Sequence, residues 1–498
     1  MKHKFIILPL LCAGLSTNVI CLATSCKNND DDSDTIKITS DYHLVVHAQE
    51  KDYSYAHQIN EALKYYCGYE LPFDIGSVPS TNHEIIFDMS RQECKDLLPK
   101  LGEDKYIIKE DNGKIIIAWK SHMARMCAVD HLLTKYASNK GIIIPKGLEV
   151  IGHCNANNIV TEIDLPEDPS NEYRNIRDAY MVKEDDGYYL FGTTGWAGTD
   201  WRYYKHANTG SLTTDWVNGG KIAELSGNLP DIYDDPGHDP QRWAPEIHKY
   251  KDKWYMFTTY HSRCSDQRGV TIFRSDNLIG EYVPISSNKK NLERGAEWTN
   301  NKHITDDYAT VDPSGQKAGH TIDGTLYVDP QGQPWLVYVN EWVAQSDRVG
   351  RFSAVKFTND NLEQIDESTN KELFRADDAP WAPEGNEVTD GCFIHTMPSG
   401  RLIMTWSSNN GNGYSVGFST SDHGILGPWE HHKQQLYAAG MYRTSNVGGG
   451  HCMFYEDNGQ LYMCMHGEAS DGHPAEHPVI VPVKETPYDT IAWDLYHE

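Results

Sequence analysis

Two kinds of hydrophobic pattern divide the chain. Over residues 36–155, segments with alternating apolar residues are interspersed with segments in which apolar residues recur at helical spacing, which predicts an α/β unit. Over residues 165–498 the helical spacing is lost, Gly, Asp, Trp and Tyr become frequent, and polar turns separate short alternating segments. We therefore expect a smaller N-terminal α/β domain followed by a larger all-β domain.

The N-terminal unit is predicted to run strand, helix, strand, hairpin, helix. The pattern places strands within 36–48 and 83–90, a hairpin over 105–119, and helices over 54–67 and 123–137. Gly68 is placed to end the first helix, and Asn112-Gly113 is a hairpin turn signal. Because this unit shows no acid/base constellation, a spacer or packing role is the simpler interpretation.

The all-β unit contains an internal repeat. Five segments share one plan, in which an ionisable residue precedes an apolar stretch, a polar turn and an aromatic-rich strand. The five leading residues, spaced by 61 to 77 positions, are Asp178, Glu246, Asp323, Asp390 and His451. Four repeats carry a second hairpin-like stretch, and two hairpins make a four-stranded blade, so the repeats predict an all-β, five-bladed β-propeller. A β-sandwich would not explain the repeat, and β-helix repeats are much shorter.

The repeat also predicts a site at the propeller axis. The inner strand of each blade starts near the axis, so the five leading residues are expected to face one cavity. In glycoside hydrolysis, one carboxylic acid protonates the leaving oxygen and a second carboxylate activates water or attacks the sugar. A third negative charge raises the pKa of the acid. The alternative, that these residues cap turns between blades as Asp often does, explains their matching positions less well.

The motifs around the leading residues resemble glycoside hydrolase family 43, the five-bladed propeller enzymes that act on arabinose- and xylose-containing glycans. The resemblance covers residues from about 170 to 490 and rests on five segments, which are IRDAYMVKEDDGYYLFGTT, WAPEIHKYKDKWYMF, TIDGTLYVDPQGQPWLVYVNEW, VTDGCFIHTMPSGRLIMTWSS and GGGHCMFYEDNGQLYMCMH. It implies an inverting glycosidase of the α-L-arabinofuranosidase or β-xylosidase type. Asp178 would be the general base, Asp390 the general acid, and Asp323 the residue that modulates the pKa of the acid.

Further site residues follow from the same resemblance and from the repeat. His451 would lie beneath the site and help to hold a metal ion or a water molecule. No cofactor is required, and a structural calcium ion near the axis is compatible with the resemblance. We expect Glu246, Trp243 and His451 to contact substrate, and His238 to line the cavity mouth. The second copy of WAPE either places Trp381 at the rim as a sugar platform or is a coincidence.

Two motifs depart from the family pattern. The usual Glu-Gly-Pro around the acid is Asp390-Gly391-Cys392 here, and the shorter side chain would set the proton donor back by about 1 Å. Alternative donors close in sequence are Glu387, Glu384 and Glu341.

The base motif differs more mildly, with Ala179 where the family has Pro. Together the departures leave open a non-catalytic carbohydrate-binding propeller. A protein-interaction propeller, the third possibility, predicts no carboxylates in the cavity.

The N-terminus has the pattern of an export signal. A basic start and an apolar stretch precede small residues and Cys26, which is typical of a secretory signal over residues 1–25. The pattern resembles a bacterial lipoprotein signal with Cys26 as the lipidated residue, although Leu22 stands four residues before it rather than three. The acidic tether over 26–35 resembles the surface-export signal of Bacteroidetes lipoproteins. We expect an exported lipoprotein of a Gram-negative bacterium, at the outer membrane, cell surface or periplasm, which contacts membrane only through its lipid anchor.

Composition narrows the ligand class. A net charge of −27 repels phosphate backbones and argues against nucleic acid as a partner. The 13 Trp and 29 Tyr suit either stacking on an oligo- or polysaccharide or a β-rich core. The 11 Cys form no CxxC pair, so disulfide pairing cannot be assigned. The α/β unit itself resembles the domain that precedes the catalytic domain in bacterial α-glucuronidases and hexosaminidases.

Overall fold

The structure is a computed structural model. It describes residues 34–50, 52–76, 78–154, 159–166, 176–194, 200–222, 242–261, 268–285, 320–345, 347–383, 387–439, 441, 448–467 and 476–497. The expected signal segment with Cys26, most of the tether, His238 and Glu384 lie outside these residues. Within the described ranges, no helix is long and apolar enough to cross a membrane.

The N-terminal unit combines two sheets with helices. Its helices are α1 (Ser54–Cys67), α2 (Gln92–Lys95) and α3 (His122–Tyr136), with a 3-10 turn at Leu98–Lys100. Its strands are β1 (Thr35–Lys37), β2 (His43–Val46), β3 (Phe73–Ile75), β4 (Glu84–Ile86), β5 (Lys105–Asp111), β6 (Lys114–Trp119), β7 (Ala137–Ser138), β8 (Gly141–Pro145) and β9 (Glu149–His153). One sheet is mixed, in the order β3-β2-β4-β6-β5-β9, and the other has the order β1-β8-β7.

Local signals end these elements where the sequence predicts. Gly68 ends α1 with a φ of 76°, and its N–H donates to the Lys64 carbonyl at 3.0 Å. Asn112 and Gly113 both have positive φ in the turn between β5 and β6. The sequence could not pair the cysteines, whereas the structure joins Cys127 in α3 to Cys154 after β9.

The remaining strands form five antiparallel sheets. Sheet 1 contains β11 (Ile176–Glu184), β12 (Gly187–Thr194), β13 (Asp200–His206) and β14 (Val217–Lys221). Sheet 2 contains β15 (Arg242–Tyr250), β16 (Lys253–His261), β17 (Arg268–Ser275) and β18 (Val283–Pro284). Sheet 3 contains β19 (Thr321–Val328), β20 (Pro334–Asn340), β21 (Arg351–Phe357) and β22 (Ile365–Arg375). Sheet 4 contains β23 (Asp390–Thr396), β24 (Leu402–Asn409), β25 (Tyr414–Ser421) and β26 (Glu430–Tyr437). Short 3-10 turns occupy Trp342–Ala344 and Ala376–Asp378.

Sheet 5 brings the start and the end of the β unit together. It contains β27 (Gly450–Asp457), β28 (Gln460–Gly467), β29 (His477–Glu485) and β30 (Ile491–Trp493), and its outer strand β10 (Thr161–Glu162) precedes sheet 1 in the chain. The β unit therefore begins before residue 165, earlier than the sequence pattern predicts, because a two-residue strand has no visible alternation. Each sheet contacts the next through its inner strand, and β27 of sheet 5 contacts β11 of sheet 1.

The two units share a hydrophobic core. Ile59 of α1 and Leu132 of α3 belong to the same buried cluster as Leu436, Val481 and Trp493 of the β sheets. Helix α1 packs directly on β26. The N-terminal unit is thus fixed against sheets 4 and 5 by apolar burial, which is the largest favourable term in such contacts.

Candidate active site

In each of sheets 1–5, the first strand, which we call the inner strand, has the same irregularity near its start. The inner strands of sheets 1–5 are β11, β15, β19, β23 and β27. Pairing with the second strand skips two residues in each sheet, which is a β-bulge. The first skipped residue always has a φ between 47° and 53°, and these residues are Asp178, Ala244, Asp323, Gly391 and His451. A bulge re-aims the side chain it carries. The five sheets therefore present five equivalent positions, three of which hold ionisable side chains.

These positions correct two of the predicted repeat alignments. The equivalent residue in sheet 2 is Ala244, so Glu246 stands two residues further along its strand. The equivalent residue in sheet 4 is Gly391, so Asp390 stands one residue before it. The sequence alignment followed charge, whereas the structural repeat is a backbone conformation that ionisable and small residues share.

The bulged amides are held by side chains of the preceding sheet. Ala244 N–H donates to Thr193 Oγ1 at 2.7 Å, and Asp323 N–H donates to Thr259 Oγ1 at 2.9 Å. His451 N–H donates to Ser407 Oγ at 2.7 Å, and Asp178 N–H donates to His466 Nδ1 at 3.2 Å, which links sheet 5 to sheet 1. These bonds fix the bulges relative to one another.

Sheet 3 breaks this pattern. In the other four sheets, the side chain that accepts the amide hydrogen bond lies on the second strand, opposite the residue that precedes the bulge. In sheet 3 this position is the apolar Val339, which lies opposite Ile322. Gly391 N–H instead donates to Oδ2 of Asp323 at 2.9 Å. Because the apolar side chain of Val339 cannot accept a hydrogen bond, the Gly391 amide bonds to the Asp323 carboxylate instead.

Asp178 is held in its ionised form. Its Oδ1 lies 3.2 Å from Nδ1 of His451, and Oδ2 lies 3.5 Å from Nε of Arg177 and accepts a hydrogen bond from Thr193. Burial alone would raise the pKa of Asp178, but the charges of His451 and Arg177 and the His451 hydrogen bond lower it far below its usual range. Asp178 is therefore an ionised carboxylate at neutral pH.

His451 supplies the positive charge between two carboxylates. Its Nδ1 also lies 3.8 Å from Oδ2 of Asp323. Burial opposes its protonation, but Asp178, Asp323 and Glu246 together raise its pKa to about 10. In the described part of the chain, no group of three or more His, Cys, Asp and Glu side chains is arranged to hold a metal ion. The metal role of His451 stays a prediction.

Asp390 is held in its protonated form. Burial and the neighbouring charges of Asp323 and Asp178 raise its pKa well above the usual value, against the opposing charge of His451. The pKa of Asp323 is also raised by burial and by Asp178, but His451 and the Gly391 N–H oppose the shift. We therefore place the proton on Asp390.

Two further residues, Tyr414 and His466, belong to this cluster and were not predicted from the sequence. Tyr414 donates from its hydroxyl to Oδ2 of Asp390 at 3.1 Å, and its ring stacks on that of His466 at a centroid distance of 5.6 Å. Burial lowers the pKa of His466 to about 3, so its imidazole is neutral and accepts the Asp178 N–H. The available signal for His466 was its place at the end of the fifth motif; Tyr414 lies on a third strand, where the repeat offered no marker.

The residues predicted to bind substrate, Glu246, Trp243 and Trp381, make their main contacts with residues outside the cluster of Asp178, Asp323, Asp390 and His451. Glu246 is buried and pairs with Nε2 of His248 at 2.9 Å. Trp243 is half-buried, with the Arg177 guanidinium over its ring at 5.9 Å. Trp381 is only 7% exposed and packs on Trp406, which leaves it little free face for stacking on a sugar.

The two described alternative acids differ in their surroundings. Glu387 is half-buried and lies 3.3 Å from Nη2 of Arg348. Glu341 is buried at the end of sheet 3, immediately before the 3-10 turn that follows β20.

Comparison with known proteins gives a family match. The family described as Glycosyl hydrolases family 43 matches residues 173–494. A solved endo-arabinase from Bacteroides thetaiotaomicron VPI-5482 is 28% identical, covers 63% of this chain and 95% of its own, and has a TM-score of 0.46. An endo-1,4-β-xylanase from the same strain is 18% identical, with 67% and 96% coverage and a TM-score of 0.46. An α-L-arabinofuranosidase from Lactobacillus brevis is 16% identical, with 65% and 96% coverage and a TM-score of 0.46. No curated protein matches the chain.

Proposed function

The chain belongs to glycosyl hydrolases family 43, and from this premise we propose that it hydrolyses arabinose- or xylose-containing glycans by an inverting mechanism, as an α-L-arabinofuranosidase or a β-xylosidase. One observation carries the proposal. Asp178 and Asp390 belong to one buried cluster in which their pKa values are displaced in opposite directions. Pairs of carboxyls with separated pKa values are how glycosidases divide acid and base roles.

Asp178 would activate the attacking water. Its carboxylate is ionised and oriented by His451, Arg177 and Thr193, so an oxygen can take a proton from water as the water attacks the anomeric carbon. The proton moves from water to Asp178 while the oxygen of that water forms the new bond to the sugar.

Asp390 would protonate the leaving oxygen. Asp323 raises the pKa of Asp390 and thereby keeps its proton near neutral pH, which is the modulating role expected of a third carboxylate. The proton passes to the glycosidic oxygen as its bond to the anomeric carbon breaks. Tyr414 fixes the carboxyl group through its hydrogen bond to Oδ2.

The arrangement of the sheets supports inversion. We interpret the five sheets as the blades of a five-bladed propeller with the bulged residues around its axis. Asp178 and Asp390 then belong to blades 1 and 4, which are not neighbours, because sheet 5 contacts both. This separation favours the roughly 6.5–9.5 Å that an inverting pair needs for a water molecule, over the roughly 5–5.5 Å of a retaining pair.

The location of the protein and its metal content do not depend on the proposed mechanism. We propose that Cys26 is lipidated and that the chain is an exported, lipid-anchored protein, which metabolic labelling of the wild type and of Cys26→Ala with a fatty acid would test. The proposed chemistry uses no cofactor. A structural calcium ion stays a prediction, to be tested by the effect of calcium on the unfolding midpoint.

The experiment is a substrate screen with three matched variants. Wild type should release sugar from nitrophenyl arabinosides or xylosides, or from plant glycans. Asp178→Asn should lose turnover on every substrate, while Asp390→Asn should lose about 10²–10⁴-fold on natural glycans and less on substrates with very acidic leaving groups. Asp186→Asn, at the exposed turn between β11 and β12, is the control and should behave as wild type.

One observation favours a second candidate function. Asp390 stands where the family has Glu, which also suits a carbohydrate-binding propeller without hydrolysis. Sugar binding by wild type with no turnover of any substrate would establish that alternative. Full activity of Asp390→Asn on natural glycans would instead move the acid role to Glu387.

A further inference from the structure

A cleft lies between the N-terminal unit and sheet 4. Its volume is about 660 Å³, within the range of roughly 300–1,000 Å³ that is typical of small-molecule sites. We call it the interdomain cleft; it is lined by Tyr53, His57 and Phe73 from the N-terminal unit and by Asn410, Asn412 and Gln435 from sheet 4.

One wall of the interdomain cleft is aromatic. The Phe73 ring lies 4.8 Å from the His57 ring and 6.1 Å from the Tyr53 ring, measured between centroids. All three side chains are half-buried, so their rings are partly open. Burial lowers the pKa of His57 to about 4, so this wall is uncharged near neutral pH. Flat, uncharged rings of this kind suit the apolar face of a sugar.

The opposite wall offers neutral hydrogen-bonding groups. Nδ2 of Asn410 donates to Oε1 of Gln435 at 2.9 Å, which fixes two amides that retain further donor and acceptor capacity. The charged groups of the cleft, Glu70 and Lys433, pair with each other at 3.1 Å. A cleft with aromatic rings, fixed amides and paired charges suits a neutral ligand rich in hydroxyl groups.

The interdomain cleft opens at the same end of sheet 4 as Asp390. Asp390 pairs with Ser407, and the strand pairing ends two residues later at Asn409 and Tyr414. The turn between them carries Asn410 and Asn412, and Tyr414 directly follows the turn and bonds to Asp390. The interdomain cleft and the catalytic cluster therefore share this end of sheet 4, as the binding of one polymer to both requires.

We propose that the interdomain cleft binds a part of the glycan chain remote from the bond that is cleaved. The N-terminal unit is then a part of the substrate-binding surface, in contrast to the spacer role that its sequence suggests. This inference rests on the proposed function for the identity of the ligand, a neutral oligosaccharide that contains arabinose or xylose. Binding in the interdomain cleft does not alter the proposed roles of Asp178, Asp323 and Asp390.

The first test compares long and short substrates. Phe73→Ala removes a ring of the aromatic wall, and Asn412→Trp fills the cleft from a surface turn where a large side chain need not disturb folding. For each variant, the KM for polymeric arabinan or arabinoxylan should rise at least fivefold relative to the KM for a nitrophenyl glycoside. Tyr65→Ala, which removes a tyrosine that is 53% exposed on α1 and does not line the cleft, should leave this ratio unchanged.

The second test measures binding without hydrolysis. Arabino- and xylo-oligosaccharides are titrated calorimetrically into Asp178→Asn, alone and combined with either cleft substitution. Weakened binding of the oligosaccharides but not of the monosaccharide supports the cleft, even if wild type hydrolyses nothing and the proposed function fails. Unchanged polymer KM and unchanged oligosaccharide affinity in both cleft variants, with a native unfolding midpoint, would overturn the inference while leaving the proposed function standing.

Discussion

Tyr414 allows the protonation of Asp390 to be tested without removal of a carboxyl group. Its hydroxyl hydrogen bond favours the ionised form of Asp390 and so lowers a pKa that burial and Asp323 raise. In Tyr414→Phe the pKa of Asp390 should rise further. The alkaline limb of the kcat/KM profile, where the acid loses its proton, should therefore move to higher pH by up to about one unit.

The control for this substitution is Tyr189→Phe. That hydroxyl donates to Asp186 at 2.8 Å in an exposed turn of sheet 1, so its loss should leave the pH profile unchanged. An alkaline limb that stays in place or moves to lower pH in Tyr414→Phe would contradict the assignment of Asp390 as the acid.

At the residue scale, the sequence identified the carboxyls but not what surrounds them. Asp178, Asp323 and His451 are in contact as the repeat predicts, and Asp390 is adjacent to them. Tyr414 was missed because its contact with Asp390 depends on the register of β25 against β24, which a local pattern does not contain.

At the scale of single elements, the bulge in each inner strand is the main determinant of the site. Strand alternation predicted the inner strands themselves, but a one-residue shift into left-handed backbone leaves no regular pattern in the sequence. Nothing in the sequence marks Ala244 as equivalent to Asp178 and His451, although its φ of 47° matches theirs. This is why the predicted leading residue Glu246 stands two residues after its structurally equivalent position, and Asp390 one residue before its own.

Gly391→Ala tests the bulge in sheet 4. A Cβ at this position would lie 2.6 Å from Cγ of His451 and 2.9 Å from its Cα, and the φ is 50°. Positive φ costs alanine about 1–2 kcal/mol, and the clash adds about 1–3 kcal/mol. We expect a clear fall in the unfolding midpoint and at least a tenfold loss of kcat.

Gly400→Ala is the matched control. Its φ is 89°, but nothing lies within 4 Å of the added Cβ, so only the backbone cost applies. It should lower the unfolding midpoint modestly and leave kcat unchanged. Equal effects of both substitutions on kcat would show that the contact of Gly391 with His451 does not matter to catalysis.

At the scale of the whole molecule, the sequence predicted two units but not how they are joined. The sequence pattern shows the apolar faces of α1 and α3, whereas their shared core with sheets 4 and 5 arises from residues more than 250 positions apart. The polar contact that accompanies this core is centred on Asp130 in α3, which has a side chain that is 3% exposed.

Asp130→Ala tests this junction. The carboxylate lies 2.7 Å from Nζ of Lys484 and accepts the amides of Leu495 and Tyr496, each at 2.9 Å. Loss of these bonds should lower the free energy of unfolding by about 1–3 kcal/mol, because the half-buried amides of Leu495 and Tyr496 would lose their acceptor and Lys484 its nearest carboxylate. Calorimetry should show the fall.

Asp276→Ala removes the exposed partner of Lys253 and should leave the calorimetric transition in place, since surface ion pairs contribute little. If Asp130→Ala unfolded at the same temperature as wild type, the contact with the C-terminal segment would not stabilise the junction.

The stereochemistry of hydrolysis tests the central claim, that Asp178 and Asp390 act as base and acid on opposite sides of the scissile bond. Wild-type enzyme is mixed with substrate, and proton NMR follows the anomeric signals of the first-formed sugar before mutarotation equilibrates them. The account predicts that this sugar has the configuration opposite to that of the substrate, because water attacks directly in one displacement. A first-formed sugar with retained configuration would show a covalent intermediate and would contradict the account.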